Sequence, residues 1–391
     1  MKYYLFLTLC CFAFLLSKAS ILADGDTLKT NTSKGLKSKF DKSDTLSKFY
    51  RMNKKFEKAF KYIPVPMYAY SFEAGHTLGL AKFNLFDMFR DSITRPSRIS
   101  GVFSASTKGR VNFSLSTELI LKKNKVIFLS YINYRKTPEF ILGIGNDVKL
   151  KDIESISVDR FKYYGYALFK VGENLNVGGG IDVSQYHNIK LDSNSILIRE
   201  HAVGISGGFI LAPGVGLAYD TRDNRYNSSK GFYTLFSAAI SDKSFGSAYN
   251  FTKVNLDVRK YYNPWYKHKI AMQITSTYSD KDVPFYELAM LGGDAQMRGY
   301  YKGALRDKVL LDGQVEYRMP IWKIFGIAAW AGAGQVAPSY DKLSTNRVWF
   351  SYGAGLRICV DSKHNTNLRF DYGRGLGDVI QAFNIGFAEA F

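Results

Sequence analysis

A chain of 391 residues can hold one large domain or two ordinary ones, and its 29 Phe, 27 Tyr and 34 Gly against 9 Pro favour strands and tight turns over helical bundles. Of the 3 cysteines, Cys10 and Cys11 lie in an N-terminal apolar run, so Cys359 is the one thiol expected in the mature chain and no intramolecular disulfide can form. A net charge of +19 would suit nucleic acid, but the export signal that opens the chain argues against that partner and for anionic lipid headgroups as counter-charge.

In chain order, Lys2 precedes an apolar run from Tyr3 to Leu16 and then Ser17-Lys18-Ala19, a small-x-small pattern. Residues 1–19 therefore read as a signal peptide cleaved after Ala19. The run falls short of the roughly twenty apolar residues that a transmembrane helix needs. Lipid attachment does not fit either, because both cysteines sit inside the apolar run and bulky Leu9 precedes Cys10.

Residues 20–62 read as a basic linker. Its first part, to residue 45, is rich in Ser, Thr, Lys and Asp and is expected to be a disordered tether. Leu46, Phe49, Tyr50, Phe56 and Phe60 then recur at near-helical spacing, with Ser43 and Asp44 available as caps. That predicts a short basic amphipathic helix over 44–61, suited to a membrane surface or a barrel mouth.

From Ile63 to Phe391 the period changes to two. Val111, Phe113, Leu115, Leu119 and Leu121 share one face of a strand, and Arg110, Asn112, Ser114, Ser116 and Glu118 share the other. The same alternation sets Val254, Leu256 and Val258 against Lys253, Asn255, Asp257 and Arg259, and Leu311, Val315, Tyr317 and Met319 against Asp312, Gln314, Glu316 and Arg318. No apolar stretch of about eighteen residues follows the signal, so any membrane crossing must use strands. Charges on one face, an apolar opposite face and an aromatic last residue predict an all-β fold, a transmembrane antiparallel β-barrel of a Gram-negative outer membrane.

Fifteen strands can be marked, near 76–86, 97–107, 109–121, 124–136, 157–172, 174–187, 202–220, 230–242, 248–262, 267–280, 308–320, 324–337, 348–360, 365–373 and 380–391. Bacterial single-chain barrels have even counts, so sixteen is expected, with the missing strand sought in 188–219. Connections at 137–156, 188–201 and 281–307 are expected to be extracellular loops.

Enzyme chemistry finds little support. Gly204-Ile205-Ser206-Gly207-Gly208 matches the hydrolase nucleophile elbow, but the strand-turn-helix context that the elbow requires is missing. His76, His187, His201, His268 and His364 show no metal-ligand spacing, and there is no phosphate loop or cysteine cluster. Neither a metal nor a cofactor is expected, and the chain is not read as an enzyme.

Three segments are more specific: Leu291-Gly292-Gly293-Asp294-Ala295-Gln296-Met297-Arg298-Gly299-Tyr300; Gly216 to Asn224, containing Asp220-Thr221-Arg222-Asp223, with Gly231-Phe232-Tyr233; and a C-terminal set. That set comprises Glu316-Tyr317-Arg318-Met319-Pro320, Gly353-Ala354-Gly355-Leu356-Arg357, Arg369-Phe370-Asp371-Tyr372-Gly373 and the terminal Phe391. In order and spacing they resemble the bacterial surface antigen family of BamA/TamA-like outer-membrane proteins. The entry segment Tyr70-Ser71-Phe72-Glu73-Ala74-Gly75 is similar to the first strand of short members.

The resemblance implies that the loop bearing Arg298, Gly299 and Tyr300, with Gly292 and Gly293 ahead of them, folds back into the lumen. It also implies that Arg298 pairs with acidic wall residues. Period-two counting puts Glu316 and Asp371 on the polar face, which makes them the candidate partners. Asp220, Arg222 and Asp223 are expected to close a strand end and its turn.

Three departures stand out. Gly332 occupies a position where members often carry Asp. Residues 384–391, with Gly386 and Phe391, are similar to an assembly signal but place Glu389 where an apolar residue is usual. Residues 20–62 are too few for a POTRA domain. The implied function is assistance to outer-membrane protein insertion or protein translocation, with a passive pore or structural surface barrel as the alternative. The implied partners are outer-membrane lipids and lipopolysaccharide, unfolded outer-membrane or surface proteins, and a periplasmic partner protein.

Overall fold

The computed structural model describes residues 63–71, 75–89, 91, 93–148, 153–375 and 381–391. The expected signal peptide, linker and helix lie outside the described residues.

The chain pleats back and forth as a meander. Its first half comprises β1 (Val65–Ser71), β2 (Gly75–Phe86), β3 (Ser97–Ser106), β4 (Val111–Ile120), β5 (Val126–Ile141), β6 (Glu154–Lys170), β7 (Leu175–Lys190) and β8 (Gly208–Asp220). β9 (Gly231–Ser241), β10 (Phe251–Tyr262) and β11 (Lys269–Ser279) follow, and then a loop that carries a small ribbon of its own, β12 (Ala289–Leu291) with β13 (Leu305–Asp307). The wall resumes with β14 (Val309–Trp322), β15 (Phe325–Ala337), β16 (Trp349–Asp361), β17 (Thr366–Gly375) and β18 (Gln381–Phe387). Sixteen of these strands make one sheet, each antiparallel to its neighbours, and β14 pairs directly with β11 because the β12–β13 ribbon leaves the wall. Among the described residues β1 pairs only with β2 and β18 only with β17. No described helix is long and apolar enough to cross a membrane.

Alternation sorts the two faces of the wall. On β14, Asp312, Gln314, Glu316 and Arg318 are buried while Val315 is exposed, and across the pair Gln273 and Thr275 are buried while Met272 and Ile274 are exposed. Leu78, Leu80, Phe103, Phe113, Val215, Leu356 and Phe383 continue the exposed apolar face. A surface of that extent is untenable in water and natural in lipid, where the ladder also satisfies the backbone groups.

Several sequence expectations need correction. The strand that was not marked is β1, ahead of the first one marked. Residues 188–219 hold the end of β7, one helical turn (Ile196–Arg199) and β8, with no further strand. Pro66 within a seven-residue strand hid β1, since Pro removes a ladder donor and belongs at edges. β5 and β6 run 16 and 17 residues, so their connection shrinks from the expected 137–156 to 142–153. Such lengths exceed the roughly 9–11 residues that span a bilayer, so both strands stand proud of it. The last strand stops at Phe387 rather than running to Phe391: Ala388 adopts a left-handed φ of 61° and the chain leaves the sheet.

The connections differ at the two ends of the sheet. At one end they are 87–96, 121–125, 171–174, 221–230, 263–268, 323–324 and 362–365, hereafter the short-turn end. At the other are the longer 142–153, 191–207 and 280–308. Tops of β5–β8 pack with Leu197, Phe285, Tyr286 and Leu288 into one apolar cluster, and Leu142, Leu291, Met297, Tyr300, Leu305, Leu310 and Val336 form a second. Both clusters hold loop 280–308 against the wall.

Candidate functional site

The tip of loop 280–308 is shaped by its own backbone. Gly292, Gly293, Met297 and Gly299 all have left-handed φ values, 99°, 136°, 44° and 118°. The N–H of Gly293 donates to the Tyr300 carbonyl at 3.0 Å, and that of Gly303 to the Leu291 carbonyl at 3.0 Å. At Gly292 a side chain would stand 2.4 Å from the Tyr301 carbonyl oxygen, so only glycine fits this crossing of the loop's arms.

That tip lies directly on the polar face of β17. A Cβ on Gly373 would fall 2.8 Å from the Arg298 carbonyl oxygen, and one on Gly299 2.7 Å from the Arg374 backbone. Backbone presses on backbone, and the side chain of Arg298 is directed into the wall. Its guanidinium stands 2.5 Å from Glu316 and 2.8 Å from Asp371, and all three side chains have 0% exposure. It also covers the Trp330 ring at 3.8 Å. A guanidinium buried in this way would cost several kcal/mol if it were unpaired; two carboxylates and an aromatic face offset that cost.

Neighbouring strands extend the cluster. Arg318 donates to Glu316 at 2.6 Å, Arg369 donates to Asp371 at 2.8 Å, and Arg357 reaches Asp371 and Glu389, the latter at 2.8 Å. Tyr300 donates to the Phe350 carbonyl at 2.9 Å, and Tyr301 donates to the Phe140 carbonyl on β5 at 2.6 Å, so the loop bridges distant parts of the wall. Gln314 donates to Ala295 O at 2.5 Å. A cavity of about 390 Å³ remains beside the loop, lined by Arg160, Lys162, Lys253 and Lys302 among others.

Of the residues singled out from sequence, Arg298, Glu316 and Asp371 meet in one cluster, and Gly292, Gly293, Gly299 and Tyr300 shape the loop that delivers the arginine. Trp330, Arg318, Arg357, Arg369 and Glu389 were not assigned to it. Parity with Glu316 and Asp371 could have found Arg318 and Arg369; Glu389 carried a signal as the charge that did not suit a lipid-facing strand. At Gly332 a Cβ would lie 3.2 Å from Gln314 Cβ, the Gly313 carbonyl oxygen and the Met297 sulfur, so a side chain there would require its neighbours to give way.

Asp220, Arg222 and Asp223 lie elsewhere, at the short-turn end. Arg222 Nε donates to Asp220 at 2.9 Å, and Arg95 and Arg225 also pair with Asp220. Burial pushes the Asp223 carboxyl up, but the Ser229 hydroxyl and the backbone N–H groups of Ser229, Lys230 and Asn224 outweigh it and hold the group below the usual range. Turn 221–230 reaches across to both flanks of the sheet: Arg225 pairs with Glu118 of β4, and Asn224 donates to the His364 carbonyl at 2.9 Å.

Gly386 abuts the Arg369 guanidinium, 2.8 Å from where its Cβ would be. Phe391 does not face lipid from a strand: it is buried against Tyr261 and Ala271, and Arg318 donates to its carbonyl at 2.8 Å. The elbow-like Gly204–Gly208 segment leads into strand β8 and not into a helix. Among the described residues no group of three or more His, Cys, Asp or Glu could hold a metal ion.

Alongside this loop arginine held by two wall carboxylates, residues 97–391 match the Omp85 superfamily domain. The chain belongs to the Omp85 superfamily. No curated protein matches it in sequence. Among solved structures this Omp85 protein is similar to BamA from Haemophilus ducreyi lacking POTRA domains 1–3, with 15% identity, a TM-score of 0.52, and 88% of this chain and 77% of that chain covered. It is also similar to CdiB from Acinetobacter baumannii, with 10% identity, a TM-score of 0.54 and 83% of this chain covered. It spans 58% of the CdiB chain. At those identities the likeness is one of fold. Family and fold together make this a bacterial outer-membrane protein of BamA-like fold.

Proposed function

We propose that this Omp85 protein closes into a membrane-spanning barrel and assists the insertion or translocation of other outer-membrane or surface proteins at a weak seam between β1 and β18. The observation that carries the reading is the pair of sheet edges. Among the described residues β1 and β18 hold seven residues each, fewer than any other strand of the sheet, and neither pairs with the other. β2 nevertheless reaches β18, since Phe83 of β2 stacks on Phe387 of β18 with ring centroids 5.7 Å apart.

A short edge exposes few backbone groups and opens at little cost, and an incoming strand can add to it through main-chain hydrogen bonds. Locally thinned bilayer beside such an edge lowers the barrier to insertion. The Arg298 cluster joins the loop to β14 and β17 and so stiffens the wall that ends at β18. The Arg298, Glu316 and Asp371 roles in this scheme are positioning roles, and no residue is assigned to catalysis. The substrates are unfolded outer-membrane or surface proteins; lipid, lipopolysaccharide and a periplasmic partner are the remaining contacts.

The test replaces Phe83 and Phe387 by Cys in a Cys359→Ser background and bridges them with a short bifunctional thiol reagent in cells depleted of the native protein. The expected result is a fall in other barrels or surface proteins in the outer-membrane proteome when the bridge is made, and recovery with a cleavable reagent once it is cut. Depletion that leaves every other outer-membrane and surface protein at its normal level would sink the proposal.

A further inference from the structure

Turn 221–230 joins β8 to β9, the eighth and ninth of the sixteen strands, and so starts midway between the two sheet edges. Its ten residues far exceed the two that a tight hairpin needs. The surplus is folded rather than loose. Asn224 Oδ1 accepts the N–H groups of Tyr226 and Asn227 at 2.8 and 3.0 Å, and the Ser228 hydroxyl donates to the Asn224 carbonyl at 2.5 Å. Asp223 accepts the N–H groups of Ser229 and Lys230 at 2.9 and 3.2 Å. A turn pinned through Asn and Asp side chains fixes where its residues point, and the large one it presents is Tyr226.

Tyr226 touches both edges of the sheet. Its ring, buried at 8% exposure, meets Phe83 of β2 edge-on, with centroids 6.1 Å apart and planes at 88°. Its carbonyl accepts the N–H of Glu389 at 3.1 Å, just after the left-handed Ala388 that turns the chain off β18. Phe83 in turn stacks on Phe387 of β18. β1 meets β2 from Ser71 opposite Gly75 to Val65 opposite Ala81, so Phe83 lies beyond that ladder and its contact with β18 passes the end of β1. One residue from the middle of the sheet thus joins the short-turn ends of the two edges.

The turn holds its two sides with unequal strength. Towards the wall it carries largely buried ion pairs, Arg222 and Arg225 on Asp220 and Arg225 on Glu118 of β4. Lys269 of β11 adds bonds to the Asn227 carbonyl and side-chain oxygens at 2.9 and 2.6 Å. Towards the edges, the contacts among the described residues are neutral: the Glu389 N–H, the Phe83 ring, and the Asn224 bond to the His364 carbonyl. Contacts of that kind are weak singly and break without leaving a buried charge unpaired. The turn therefore stays seated when the edges let go.

We infer that Tyr226 is a positioning residue of the seam: it latches the short-turn ends of the two edges together, so that the seam parts first at its long-loop end. This role rests on the proposed seam and gives it a direction of opening. Short turns mark the periplasmic side of outer-membrane barrels. A strand arriving from that side has to dislodge Tyr226 before it can pair along the whole edge.

Pairs of spin labels on the mature protein in nanodiscs, in a Cys359→Ser background, read the two ends separately. Phe86→Cys/Phe370→Cys reports on the short-turn end and Leu78→Cys/Phe383→Cys on the long-loop end. Tyr226→Ala is expected to raise the separated population of the short-turn pair roughly tenfold and to leave the long-loop pair unchanged. Tyr226→Phe, which gives up only the 3.5 Å contact of the hydroxyl with the Pro96 carbonyl, is expected to match the unmutated protein at both ends. Phe83→Leu removes the ring partner from the edge side and should separate the short-turn pair likewise, which decides the matter if Tyr226→Ala does not fold. Short-turn distances that stay put in these variants would overturn the latch, and so would equal loosening at both ends, the mark of a merely structural residue. The outer-membrane proteome on depletion judges the activity of the seam, whereas these distances judge the latch alone.

Discussion

Arg298 is a cation shut away from water, so the carboxylates it meets decide whether the loop can sit where it does. The buried cluster sets Arg298, Arg318, Arg357 and Arg369 against Glu316, Asp371 and Glu389, and Arg318 also donates to the Phe391 main-chain oxygen. Removing Arg298 leaves Glu316 with Arg318, and Asp371 with Arg357 and Arg369, so no anion is orphaned. Removing Glu316 leaves the arginines crowded. Glu316→Gln is therefore expected to cost about 3–5 kcal/mol and Arg298→Ala only about 1–3 kcal/mol. Denaturant midpoints of the detergent-solubilised protein measure both, and the opposite ranking would overturn this account of the cluster. At this scale much was legible: parity alone put Glu316 and Asp371 on the polar face. Trp330 was not, because nothing in a run of Gly and Ala around it says which loop will cover it.

Loop and wall meet through glycine, and that contact belongs to the elements rather than to the charges. A Cβ at Gly373 would stand 2.8 Å from the Arg298 carbonyl oxygen, whereas one at Gly313 meets nothing closer than 3.5 Å. Gly373→Ala should therefore unseat the loop at a cost of about 1–3 kcal/mol. Limited proteolysis reads the effect as faster cleavage within 280–308, with Gly313→Ala cutting at the unmutated rate. Element boundaries were the least legible part of the sequence. β1 hid behind Pro66, β5 and β6 outran the length a bilayer demands, and the last strand ended early because Glu389 finds Arg357 and Phe391 finds Tyr261 off the sheet. Those partners lie far away in sequence, so no local pattern announces them.

For the whole molecule, the loop seated across the polar face has a measurable consequence. Tyr301 bonds to β5 while Tyr300 bonds to β16, so loop 280–308 lies across the polar face of the sheet and would obstruct the lumen of the proposed barrel. In planar bilayers the unmutated protein is expected to show little steady conductance, and Arg298→Ala to show frequent openings as the loop loses its anchor. A large steady conductance in the unmutated protein would favour the passive pore instead.

Period-two alternation, read along the chain without any structure, determined that the protein is built of strands with one polar and one apolar face, because a pleated strand sends successive side chains to opposite sides. Parity also put Glu316 and Asp371 on the polar face, while Arg298 came from the family resemblance alone. Only the tertiary structure decided that Arg357 and Glu389 join them and that turn 221–230 reaches both flanks of the sheet. Each of these depends on which strands become neighbours. That is set by pairing between segments distant in sequence, and no window on the sequence contains both partners.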